Sequence, residues 1–154
     1  MSLESVRAFF AEKAPDLRIV ELDVSTATVA QAAAAHDVEP GRIAKTLSLR
    51  IGDRVVLIVV AGDARLDNRK FKAAFGAKPR LLNAEEVADI TGHPVGGVCP
   101  FGLANPLPIY CDQSLRHLGE VVPAAGATNA AVRIASLRLA ELVGAQWVDV
   151  CQDR

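Results

Sequence analysis

The chain has 154 residues, of which 51% are hydrophobic, 23% charged and only 5% aromatic. That length fits a single domain (1–154), the composition excludes a disordered chain, and the core must be built from Ala, Val, Leu and Ile rather than from rings. A formal net charge of −1 excludes a whole-molecule field that would draw the chain to nucleic acid or an anionic membrane, so any polyanion contact needs a local basic patch.

In chain order, Ser2 can cap a helix running to about Ala14, with Val6, Phe9 and Phe10 on its apolar face and Pro15 as its stop. Residues 18–23 read as a strand. Thr26 or Thr28 opens an alanine-rich helix that ends before Pro40 and Gly41. Residues 43–51 alternate as a strand, with Lys45 on the same parity as Ile43, Leu47, Leu49 and Ile51. Gly52-Asp53 signals a turn, and residues 55–60 return as a strand that is apolar on both parities, hence central and covered on both faces. Asp67 to Phe75 reads as a helix closed by Gly76. Asn83-Ala84-Glu85-Glu86 has the form of a capping box for a helix closing at Gly92. Residues 107–111, 120–122 and 131–134 read as strands. Ser136 is expected to cap a helix ending at Gly144, and residues 146–150 form the last strand. The fold class expected is α+β, a single domain with a curved, barrel-like mixed sheet surrounded by helices.

The N-terminus carries charges throughout and has no apolar h-region, so it does not read as a signal peptide. The longest apolar run, residues 55–61, is too short to cross a bilayer. Cys99, Cys111 and Cys151 form no CxxC pair, which argues against a disulfide framework and a zinc knuckle. A cytoplasmic protein with no metal, no cofactor and no membrane contact is the expectation.

Most of the chemical information sits in Val95-Gly96-Gly97-Val98-Cys99-Pro100-Phe101-Gly102. Adjacent glycines permit positive φ and close approach to a ligand, and Pro100 fixes φ and removes a donor. A nest of N–H groups of this kind suits an anion or a developing oxyanion, and the same residues also suit a tight connection with no ligand. Lys45 has two readings as well. Facing inward it must line a cleft, where it can bind phosphate or polarise a carbonyl; otherwise it reaches solvent at a strand edge. Cys99 is a candidate thiolate nucleophile or a residue that shapes a pocket. Arg65, Arg69, Lys70, Lys72, Lys78 and Arg80 make the basic stretch in which to look for phosphate contacts, or else a solvated helix face. No zinc-spaced His/Cys set and no GxSxG is present.

Taken together, Arg42-Ile43-Ala44-Lys45-Thr46-Leu47, the following hairpin, the Gly96…Pro100 loop and the closing pattern Ala125-Gly126…Val132-Arg133-Ile134…Leu142-Val143-Gly144-Ala145 resemble the YbaK/EbsC family. These are aminoacyl-tRNA deacylases, also found as an editing domain associated with prolyl-tRNA synthetase. The resemblance implies trans-editing: hydrolysis of the ester that links a wrong amino acid to the end of tRNA, without a metal or cofactor. Lys45 matches the lysine that holds the aminoacyl-adenosine, and Gly96, Gly97 and Pro100 match the loop whose amides grip the carbonyl. Val98, Cys99, Phe101 and Gly102 belong to the same loop. The cysteinyl-specific branch has basic residues after the loop, where this chain has Leu103-Ala104-Asn105, and a Gly-Lys-Arg-Gly-like stretch, where this chain has residues 124–129. The resemblance therefore points to a tRNA of the proline type carrying Ala, Ser, Thr or Cys, with Thr46 and Asn129 as pocket residues. The partners implied are the tRNA acceptor end, met by Arg65, Arg69, Lys70 and Lys72, and a prolyl-tRNA synthetase. Two other readings stand beside it: a non-catalytic tRNA- or synthetase-binding module, and a thiol hydrolase acting through Cys99.

Overall fold

The computed structural model describes residues 2–153. Helix α1 (Ser2–Lys13) buries Val6 and Phe10 and leads into a short strand β1 (Ile19–Glu21). Helix α2 (Val29–His36) starts at Thr28, whose Oγ1 accepts from the Gln31 N–H while Gln31 Oε1 accepts from the Thr28 N–H. This reciprocal pair satisfies two amides that have no partner inside the helix. Strands β2 (Ile43–Ile51) and β3 (Arg54–Ala61) form a hairpin through Gly52, and β3 is buried along nearly its whole length. Helix α3 (Asn68–Phe75) is capped by Asp67 and closed by Gly76. After β4 (Arg80–Leu81), helix α4 (Ala84–Thr91) carries the Asn83–Glu86 capping box. Strands β5 (Ile109–Asp112), β6 (Glu120–Pro123), β7 (Ala130–Val132) and β8 (Ile134–Ala135), helix α5 (Ser136–Leu142) and β9 (Gln146–Val148) complete the chain.

The main sheet runs β8-β6-β2-β3-β5-β9 and mixes parallel and antiparallel pairs, while β1 and β7 form a separate ribbon. The result is a curled, half-barrel sheet with five helices in a single domain, with Leu49, Leu57, Ile58, Phe71 and Phe101 fully buried in its core.

Three local expectations change. The strand expected over 131–134 is two strands, because the chain changes partner at Arg133. β7 pairs with β1 and β8 with β6, and the Arg133 guanidinium leaves the ladder for the His36 carbonyl (2.6 Å) and the Glu120 carboxylate (3.1 Å). Ser136 is the first residue of α5 rather than its cap; its hydroxyl faces Arg116 O, and Ala135 caps without a side-chain bond. The last strand is shorter, since the Val150 N–H donates to Asp112 Oδ1 (2.8 Å).

The outer edge of β2 is shared between two partners. β6 runs parallel to it at Ile43 and Ala44, and β4 runs antiparallel to it at Leu49 and Arg50. Residues 45–48 lie between these partners with no strand on that side.

Candidate functional site

A cavity of about 260 Å³ opens at this break in the sheet. Residues 43–48 of β2 line it, with Val29 and Ala32 of α2, Leu82 beside β4, Val122 of β6, and Val95, Gly96 and Val98 of the glycine loop. The walls are mainly apolar, and Lys45 is the one charged side chain among them.

Lys45 is half-buried rather than extended into solvent, and its Nζ donates to the carbonyl of Ala64 at 3.0 Å. One carbonyl leaves the other two ammonium protons for a ligand. Lys45 lies opposite Val60 on β3, one residue along from the Ala44–Ala61 pair that begins the hairpin ladder. Thr46 also lines the cavity, and its Oγ1 is buried with no hydrogen-bond partner among the described residues.

The glycine loop reaches the cavity through Val95, Gly96 and Val98. Gly96 has φ +89°, and a Cβ there would stand 2.7 Å from that of Ala27. A Cβ on Gly97 would meet the backbone of Ala127 at 2.8–2.9 Å. Gly97 is thus needed for packing rather than contact: its N–H donates to Pro94 O and its carbonyl accepts from the Gly126 N–H, each at 2.9 Å. Among the described residues, no hydrogen bond engages the N–H groups of Gly96 and Val98. Gly96 and Val98 both line the cavity, so their amides are candidate donors to a ligand there.

The remaining loop residues point elsewhere. Pro100 is buried and does not line the cavity. Phe101 packs on Phe9 and Phe10 of α1, with ring centroids 5.8 and 4.7 Å away. Gly102 presses on the backbone of Ser5. Cys99 is fully buried away from the cavity, its Sγ 3.6 Å from His93 Nε2 and 3.7 Å from Phe101 O, and burial pushes its thiol up to about 12. A thiolate at neutral pH is therefore not available there. Asn129 donates to Leu22 O at 2.9 Å and holds the β1 approach, not the pocket. Trp147 carries the Arg116 guanidinium 5.0 Å over its ring on another part of the sheet.

His93 has a part that the sequence did not signal. It is fully buried, its Nε2 donates to Phe101 O at 2.7 Å, and its Nδ1 meets Ser2 Oγ, which in turn contacts Gly126 O. Desolvation holds its pKa below the ordinary histidine value. The ring ties α1 to the two loops beneath the cavity. Its only mark in the sequence is a histidine directly before Pro94.

Of the basic stretch, Lys70 is held by Asp149 (3.1 Å) and Asp153 (2.7 Å), which raise its pKa. Arg65, Arg69 and Lys72 make no ion pair among the described residues. Arg65 follows directly on Ala64, whose carbonyl holds Lys45. Among the described residues no group of three His, Cys, Asp or Glu side chains is placed to hold a metal, and no helix is long and apolar enough to cross a membrane.

Residues 23–142 match the aminoacyl-tRNA editing domain family. Over 99% of both chains this protein is 46% identical to the uncharacterised protein YwhH of Bacillus subtilis. A 105-residue stretch, 67% of this chain, is 38% identical to part of the proline–tRNA ligase of Solidesulfovibrio magneticus and spans 18% of that ligase. Among solved structures, a candidate trans-editing enzyme for prolyl tRNA synthetase superposes with a TM-score of 0.90 at 35% identity, covering 99% of this chain and 98% of the other.

Proposed function

The chain belongs to the aminoacyl-tRNA editing domain family, and from that premise we propose that it is a trans-editing deacylase that hydrolyses the ester of mischarged tRNA. The observation that supports this reading is that Lys45 and the loop residues Gly96 and Val98, whose amides are unengaged among the described residues, line one cavity. In this mechanism a water oxygen bonds to the ester carbonyl carbon, and the negative charge that develops on the carbonyl oxygen is met by the two amides. The bond to the ribose oxygen then breaks and a proton passes to that oxygen, leaving the free amino acid and deacylated tRNA. Lys45 holds the adenosine end near the carbonyl. A preorganised donor facing a developing oxyanion contributes about 3 kcal/mol.

Selection of substrate rests on size. A cavity with apolar walls would hold a small side chain such as that of Ala, Ser, Thr or Cys, and a misfit of the correct amino acid spares it more sharply than attraction could select the wrong one. Arg65, Arg69 and Lys72 would meet acceptor-end phosphates. The tRNA is of the proline type on this reading, with a prolyl-tRNA synthetase as the source of the error and the cytoplasm as the setting.

The test is a panel of mischarged tRNAs with the wild-type chain and Lys45→Ala. Release of a small amino acid is expected, slowed about ten- to a hundredfold in Lys45→Ala, the range for one hydrogen bond to a charged group. No release from any panel member, or an unaffected Lys45→Ala, would overturn the reading.

A further inference from the structure

Between the pairing of β2 with β6 at Ala44 and with β4 at Leu49, the outer edge of β2 lacks a strand partner. Three main-chain contacts fix which way the backbone points there. The Leu82 N–H donates to Ser48 O (3.2 Å), the Leu57 N–H turns away to Pro108 O (3.0 Å), and the Ala61 N–H turns away to Ser114 Oγ (3.1 Å). Ser48 lies opposite Leu57 and Ala44 opposite Ala61, so neither pair exchanges hydrogen bonds across the hairpin. The register between them is unbroken, and the pattern alternates with period two in an antiparallel ladder. Thr46, opposite Val59, therefore aims both its N–H and its C=O away from β3. On that side β6 ends its pairing at Ala44 and β4 begins its own at Leu49. No main-chain group among the described residues meets Thr46 across this edge, and Thr46 lines the cavity.

An unpaired peptide unit flanked by paired ones on a partly buried edge needs a partner. On the deacylase reading, which this inference rests on and deepens, the ligand carries one. An extended aminoacyl ester presents its α-ammonium and its carbonyl oxygen on the same side, as any strand residue presents its N–H and C=O. We infer that the aminoacyl group binds as the missing residue of the sheet: its ammonium donates to Thr46 O, and the Thr46 N–H donates to its ester carbonyl. Every amino acid carries these two groups, so Thr46 reads the main chain alone and leaves selection to the side chain in the cavity. The pairing also fixes the plane of the ester between β2 and the Gly96 and Val98 amides. No carboxylate lines the cavity, so neutral carbonyl and hydroxyl oxygens are the acceptors the ammonium can meet.

Two measurements test this. The first uses 3′-alanylamino-3′-deoxyadenosine, in which an amide replaces the labile ester, and follows backbone amide hydrogen exchange by NMR. Exchange at the Thr46 N–H is expected to slow at least tenfold on binding, with the Gly96 and Val98 resonances also moving. Movement at Gly96 and Val98 with unchanged exchange at Thr46 overturns the inference and leaves the deacylase reading intact. The second compares the mischarged tRNA hydrolysed fastest with the same tRNA bearing the α-hydroxy acid of the same side chain, each corrected for its spontaneous hydrolysis. Loss of the ammonium should lower kcat/KM about ten- to a hundredfold. Equal corrected values overturn the inference, and this comparison decides if the analogue binds too weakly to see. If no mischarged tRNA is hydrolysed at all, the deacylase reading falls and takes the inference with it.

Discussion

Single residues carry separable burdens at this site. Gly96 holds φ +89° with Ala27 pressed against it, so Gly96→Ala must distort the loop or shift α2. Deacylation is expected to fall at least tenfold, because a donor displaced by an ångström loses the alignment that makes it effective. Thr46→Val removes a buried hydroxyl that has no partner and keeps nearly the same shape. It should raise the unfolding free energy by about 1 kcal/mol in urea titration. Cys99→Ala should keep turnover, since the thiol is buried away from the cavity, and should lower stability by about 1 kcal/mol through the small void it leaves. His93 and His36 have pKa values depressed below the ordinary 6.5, both mainly by burial. Unfolding frees them to take up protons, so the stability they contribute is whole above pH 6.5 and is lost as pH falls through their folded values. The melting temperature should therefore drop as pH falls below about 6.5, ahead of the carboxylates, and His93→Gln should flatten that slope.

At the scale of elements, what the sequence made legible was what neighbours in sequence decide. The Thr28–Gln31 and Asn83–Glu86 capping boxes close over three residues, and Gly76 and Gly92 end their helices in the left-handed conformation, so all four can be read from spacing. Asn83→Ala should cost about 1 kcal/mol. The loss should show as a lower melting temperature, and the α4 wall carrying Val87 should loosen with it. The strand parity of Lys45 was legible for the same reason, because it is a period-two rule, whereas its two readings, cleft or solvent edge, were not separated by it. The two residues of β4 were not, since a segment that short becomes a strand only through the β2 edge it meets. The contacts of Asn129 and Phe101 could not be read either, because their partners, Leu22 and the α1 rings, lie about a hundred residues away in sequence. Spacing says nothing about partners brought in by the fold.

For the whole molecule, the order β8-β6-β2-β3-β5-β9 could not be read from the chain, although its mixed, curved character could. Parallel neighbours such as β3 and β5 are chosen by long-range closure, not by turns. A net charge of −1 means that tRNA affinity must come from a patch. Replacing Arg65, Arg69 and Lys72 together by Gln should reduce the slope of log affinity against log salt by about 2 to 3, as expected when three phosphate contacts are lost. A slope unchanged by the triple variant would move the nucleic-acid face elsewhere. The three sulfhydryls add a different kind of instrument. Cys99, Cys111 and Cys151 are all sequestered, in the glycine loop, on β5 and near the last residues described, with burial lifting each to about 12. A maleimide can reach them only when the fold breathes. Single-cysteine versions of the chain would thus clock, region by region, how often each part of the protein opens and which part opens first.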